Sequence, residues 1–366
     1  MILQCTKKVQ DYFGITPIPK EDVGTPDPLF SWVANLIVLN RRKTLVVVNE
    51  ASRCSFLLYG ITAKQIPKID TLILDGIRTM MESAYIATDV IQKYLADCGT
   101  ILHTSTLSRS NISICNYSCE RLLHYSDSFL PNDLYQKHLL SCINYGIAMQ
   151  NKSYSYFHDI FYSFLRERYG DNIISCQMYE LHVVLDMAGI QDLRCERTLQ
   201  VPAGITFQRL HKIIQTAFAW ENDHLYDFIL ETDKSGRPSV LVKPPTEEPY
   251  DFFDTPEVTT LNSLNTPIDS VFEKQTKITY EYDFGDGWEH TITLQRVYEV
   301  TSYPRVHCTE WIGEAPMEDC GGPEGFANIL RILSDPSDPE YEDACNWLGM
   351  KEWHSPSQEL INKIYH

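Results

Sequence analysis

The stretch Thr276-Lys277-Ile278-Thr279-Tyr280-Glu281-Tyr282-Asp283-Phe284-Gly285-Asp286-Gly287-Trp288-Glu289-His290-Thr291-Ile292-Thr293-Leu294-Gln295-Arg296-Val297 reads as two strands around a tight bend. Ile278, Tyr280 and Tyr282 share one face of the first strand. Trp288, His290, Ile292 and Leu294 share one face of the second. A two-residue Asp286-Gly287 turn would oppose Tyr282 with Thr291 and set apolar faces against polar ones. A three-residue loop, Gly285-Asp286-Gly287, opposes Phe284 with Trp288, Tyr282 with His290, Tyr280 with Ile292 and Ile278 with Leu294. It keeps one face apolar throughout, so that register is expected. It also sets Asp283 opposite Glu289, an unfavourable like-charge pair. A basic side chain, a bound cation or a raised pKa would relieve it.

The surroundings of this hairpin are acidic. The chain has 366 residues, a formal charge of −18 and a globular composition, enough for two or three domains. From Asp251 onward there are 22 Asp and Glu against 7 Lys and Arg, a net −15. Such a face repels phosphate backbones, which disfavours non-specific nucleic-acid binding there, and it suits a cation or a protein partner with a basic surface. A plain solvated face is the other reading. The 11 cysteines show no CxxC pair, the first residues lack a signal-peptide core, and no apolar run nears the ~20 residues that span a bilayer. A cytoplasmic protein with free thiols and no membrane contact is expected.

Upstream, Trp32–Leu39, Thr44–Asn49 and Ser55–Tyr59 read as an antiparallel meander, and Ile69–Met81, Thr88–Ala96 and Ser110–Tyr125 as helices. Cys115 and Cys119, one turn apart, are read as packing residues, since no second Cys or His pair lies near. Helices are expected over Leu134–Met149 and Tyr154–Tyr169, with Gly170-Asp171-Asn172 as a boundary. Beyond it come strands at Tyr179–Asp186 and Cys195–Val201, a helix capped by Thr206 and running to Phe218, and a strand at Leu225–Leu230. A polar loop is expected over 231–267, and two short helices close the chain. The fold class is therefore α+β: an N-terminal meander with helices (1–130), a helical connector (131–175) and a β-grasp-like C-terminal domain (176–366).

Several motifs follow in order: Trp220 with His224-Leu225, then Tyr282 to His290, then Ala315-Pro316-Met317-Glu318-Asp319-Cys320-Gly321-Gly322-Pro323, then Trp347-Leu348-Gly349. Together they resemble the plasmid pRiA4b ORF-3-like family, whose members are often labelled TnpR-type passenger proteins of insertion elements. Where that family usually shows Trp-Arg, this chain has Glu196-Arg197. Residues 1 to about 130 look like an uncharacterised bacterial domain that occurs alone or fused to this family. The resemblance implies an α+β fold and a bacterial or mobile-element origin, without a reaction. A serine resolvase is not supported, because the tail is acidic rather than basic.

The candidate site comprises Asp283, Asp286, Trp288, Glu289, His290, His224, Arg197, Glu318 and Asp319. Asp283, Asp286 and Glu289 suit a hard divalent cation, Mg or Ca, with Asp283, Glu289 and His224 as the candidate ligands. Alternatively, Arg197 sits between Asp283 and Glu289, and His290 is a core histidine. The expected function is a non-enzymatic binding module using its acidic face. The competing expectation is a metal-dependent hydrolase or nuclease.

Overall fold

The computed structural model describes residues 1–150, 153–188, 190, 193–245 and 258–365. Two compact units emerge, Met1–Ser175 and Cys176–His366.

In the first unit, β1 (Ile2–Cys5), β2 (Ser31–Leu39), β3 (Arg42–Asn49), β4 (Ser55–Tyr59) and β5 (Leu102–Ser105) form one sheet in the order β4-β3-β2-β1-β5. The meander β2-β3-β4 is antiparallel, while β1 runs parallel to both β2 and β5. The helices are α1 (Lys7–Phe13), α2 (Ile69–Ser83), α3 (Thr88–Cys98), α4 (Arg109–Leu123), α5 (Leu140–Asn144) and α6 (Phe157–Tyr169). Cys115 and Cys119 of α4 are buried.

The 131–175 segment differs from the expected connector. Leu139, Leu140, Ile143, Phe157, Ile160, Phe161 and Leu165 belong to the first unit's core. The long helix expected to Met149 stops at Asn144, and a hairpin of β6 (Ile147–Gln150) and β7 (Ser153–Tyr156) follows. Gly146 explains the break. A Cβ there would meet the Phe157 ring at 2.6 Å, so the chain passes through a gap that only glycine fits. Beyond it the alternation of Ile147 and Met149 with Tyr154 and Tyr156 has a period of two, not 3.6.

The second unit is an eight-stranded sheet. Its strands are β8 (Cys176–Leu185), β9 (Glu196–Pro202), β10 (Tyr226–Thr232), β11 (Pro238–Lys243), β12 (Thr259–Asn262), β13 (Lys277–Tyr282), β14 (Trp288–Val300) and β15 (His307–Ile312), in the order β12-β11-β10-β13-β14-β8-β9-β15. The helices are α7 (Phe207–Phe218), α8 (Asp269–Phe272), α9 (Gly322–Ser334), α10 (Tyr341–Leu348) and α11 (Gln358–Ile364). The segment expected as a polar loop supplies β11 and β12. Its residues 246–257 lie outside the described residues.

Helix α7 forms where the sequence places it. Thr206 Oγ1 accepts from the Arg209 N–H at 3.3 Å, satisfying a donor that the first turn leaves open. Phe207, Leu210, Ile213, Ile214, Ala217 and Phe218 are buried in one core with Tyr280, Tyr282, Trp288 and Ile292 of the hairpin. Burying each such side chain contributes about 1.5–3 kcal/mol, so the apolar hairpin face is held by this helix.

Candidate functional site

The hairpin closes two residues earlier than expected. Its last pair is Tyr282 with Trp288, followed outward by Glu281 with Glu289, Tyr280 with His290 and Ile278 with Ile292. The loop is therefore Asp283–Gly287, five residues long. It is closed by the Gly287 N–H on the Asp283 carbonyl at 2.6 Å. Asp283 leaves the ladder in the left-handed region, φ 55°, and its N–H donates to the Leu225 carbonyl at 2.9 Å. A shift of two residues preserves every face, so alternation alone could not distinguish the two registers. The expected pairing of Asp283 with Glu289 is thus corrected: Glu281 stands opposite Glu289, and Asp227 opposite Glu281 on the next strand.

Three segments meet at this loop. After α7, Ala219 at φ 59° turns the chain into Trp220. Trp220 stacks on Tyr282, with ring centroids 5.0 Å apart, and donates Nε1–H to the Pro316 carbonyl at 2.9 Å. The Tyr282 hydroxyl is the hub. It accepts from the Asp223 and His224 N–H groups at 3.1 and 3.4 Å and donates to Glu318 Oε1. Glu318 Oε2 accepts from the Glu221 N–H at 2.6 Å. Burial and the Glu318 carboxylate raise the Tyr282 phenol above its usual range, so it stays a donor. Asp286 Oδ2 accepts from the Gly321 N–H at 3.1 Å. The backbone of Gly322, φ 70°, lies so near Asp286 that a Cβ would sit 2.4 Å from its carbonyl oxygen.

His224, Asp283 and Asp319 come together at the surface of this joint. The imidazole Nε2 is 3.1 Å from Asp319 Oδ1 and 3.7 Å from Asp283 Oδ2. Glu289 is exposed on the ladder and belongs to no such group among the described residues, so the expected ligand set changes by one member.

Trp288 and His290 lie underneath, fully buried. His290 Nδ1 is 3.3 Å from the Tyr280 carbonyl, which suits the tautomer that donates there. Its Nε2 has no hydrogen-bond partner among the described residues. Burial first, and Arg197 last, push its pKa down to about 3, so the ring is neutral. Arg197 does not bridge Asp283 and Glu289. Its guanidinium is buried, donating to the carbonyls of Ala217 (3.1 Å), Glu196 (2.8 Å), Ile312 (3.1 Å) and Gly313 (3.2 Å), and stacks over Trp311. It fixes the end of α7, and so the start of the Trp220 segment.

Sequence reasoning left Tyr282 and Trp220 out of the site. A phenol on the apolar face at the last pleat before a turn is a signal, because its hydroxyl must find a partner at the sheet's end.

A family model described as plasmid pRiA4b ORF-3-like protein matches residues 177–360, half of the chain. The chain belongs to the plasmid pRiA4b ORF-3-like family. The first three motifs quoted for that family are the segments that meet around Tyr282, and the fourth, Trp347-Leu348-Gly349, lies on α10. A second model, a domain of unknown function (DUF6933), matches residues 2–159. The uncharacterized protein y4hQ of Sinorhizobium fredii is 31% identical over 169 residues, covering 46% of this chain and 81% of that protein. A crystal structure of a protein of unknown function from Methanosarcina mazei Go1 is similar to this chain at 27% identity, covering 50% of this chain and 96% of that one, with a TM-score of 0.41. No helix among the described residues is long and apolar enough to cross a membrane.

Proposed function

We propose that the second unit is a non-enzymatic binding module that docks a protein with a basic surface on the face carried by α10. The observation behind this reading is Trp347. In the motif Trp347-Leu348-Gly349, Leu348 packs against the core and Gly349 ends the helix at φ 67°. Trp347 is 53% exposed and does neither job. Tryptophan is enriched among the residues that carry most of the binding energy of interfaces. Helix α10 buries none of its residues. Glu340, Glu342 and Asp343 are exposed around it, and between 335 and 352 six carboxylates face one lysine, Lys351. That charge favours a lysine- or arginine-rich partner and steers its approach.

The test uses the full chain and a fluorescein-labelled lysine-rich peptide with one central phenylalanine, followed by anisotropy. Saturable binding is expected, weakened by salt and weakened about tenfold or more by Trp347→Ala. Equal binding of a glutamate-for-lysine peptide, or unchanged affinity in Trp347→Ala, refutes the reading.

A second reading, a metal-dependent hydrolase or nuclease, draws on the His224, Asp283 and Asp319 group. Such an enzyme also needs a base tuned toward neutrality. His290 and His211, whose pKa values burial drives to about 3 and about 4, are buried in the core. The binding reading is therefore preferred.

A further inference from the structure

A direct contact accounts for Asp319, whose Oδ1 is 3.1 Å from His224 Nε2. The Asp283 side chain is 12% exposed, and its Oδ1 is taken by the Gly285 N–H at 3.0 Å. Its Oδ2 accepts no hydrogen bond among the described residues and faces the imidazole from 3.7 Å. A hydrogen bond within the loop holds Asp283, and its second oxygen is turned towards the same imidazole that faces Asp319.

The three residues offer ligand atoms that all lie within 4.8 Å of one another. Ligands placed tetrahedrally about 2.1 Å from a divalent ion are roughly 3.4 Å apart. The separations of 3.1 and 3.7 Å around Nε2 bracket that value.

We propose that His224, Asp283 and Asp319 bind a divalent transition-metal cation through one imidazole nitrogen and two carboxylate oxygens. A mixed nitrogen and oxygen set suits manganese or zinc, whereas magnesium and calcium take oxygen ligands. Asp319 is exposed and His224 partly so, which leaves the ion reachable from water and its remaining positions solvated. The bound ion ties the hairpin loop to the segment after α7 and to the loop before α9, adding a charge link to those made by Tyr282 and Asp286. No residue of α10 takes part, so this inference stands apart from the partner reading.

The test is a manganese titration of the chelator-stripped full chain, read by the loss of the free-ion electron paramagnetic resonance signal. Manganese avoids the accessible thiols of Cys142 and Cys345, a softer ligand type that favours zinc. One equivalent is expected to bind saturably. Asp283→Asn keeps an oxygen for Gly285 and removes the charge. Asp319→Asn alters an exposed loop side chain. Each is expected to weaken binding about tenfold or more, while Glu289→Gln leaves it unchanged. Circular dichroism checks that the variants fold; if Asp283→Asn does not, Asp319→Asn decides alone. No saturable binding by the wild type, or wild-type affinity in Asp319→Asn, overturns the proposal and leaves a plain histidine–aspartate contact.

Discussion

Replacing His290 by Gln should remove a defined share of the acid sensitivity of the second unit. The ring is fully buried among Phe218, Trp220 and Tyr280, and burial lowers its pKa from 6.5 to about 3. The unfolded chain takes a proton near pH 6.5, whereas the folded chain refuses it until about pH 3. The contribution to stability is therefore complete above pH 6.5 and is lost as pH falls from 6.5 towards 3. Each pH unit in that window costs about 1.4 kcal/mol, so the loss between pH 8 and pH 5 is about 2 kcal/mol. Burial gives His211 the same sign, with a folded pKa of about 4, and a similar loss over that interval. Five of the six tryptophans, Trp220, Trp288, Trp311, Trp347 and Trp353, belong to the second unit, so fluorescence during urea unfolding reports on it. Protonation of surface carboxylates changes the wild type and His290→Gln alike and cancels in the comparison. The variant starts less stable and should lose about 2 kcal/mol less than the wild type between pH 8 and pH 5. Equal losses in the two proteins would show that His290 is not held neutral by burial, and the reasoning would fail.

Two further substitutions probe the joint. Gly322→Ala places a Cβ 2.4 Å from the Asp286 carbonyl oxygen at φ 70°; it should lose about 1–3 kcal/mol in urea unfolding. Gly204→Ala, which meets open space, should change stability by no more than about 0.5 kcal/mol. Arg197→Met strips four carbonyls of their donor and should cost about 3 kcal/mol or more, read as a lowered thermal midpoint. Arg197→Lys should recover little of it, because a point ammonium cannot replace the planar fork over Trp311.

What the sequence disclosed and what it hid divide along a physical line. Alternation fixed which residues of 276–297 face the core, and Thr206 fixed where α7 begins, because both signals are local. Alternation is blind to a shift of two residues, so the length of the loop stayed open, and with it the neighbour of Asp283. The true neighbours, His224 and Asp319, lie 59 residues before it and 36 after it, and no local preference encodes such a contact. Helices were expected over Leu134–Met149 and Tyr154–Tyr169, whereas the space at Gly146 and the pairing of Ile147 with Tyr156 decide for a hairpin between them. Tertiary room overrode local preference there.

The motif residues of the second unit separate by what the fold asks of them. Trp220, Tyr282, Glu318 and Gly322 hold one another in place: each makes a bond or a close approach that another residue type would break. Folding alone is reason enough for their presence. His224, Asp319 and Trp347 are different, since each keeps part or all of its side chain in water. His224 and Asp319 could exchange for many polar residues without leaving a hole, and Trp347 covers little of the core. Residues that stability does not require, carried on a frame built so closely around them, are the ones to test for function. A screen of variants at those three positions, set against the frame residues, separates the two demands: the first group should change binding at constant thermal midpoint, and the second should lower the midpoint.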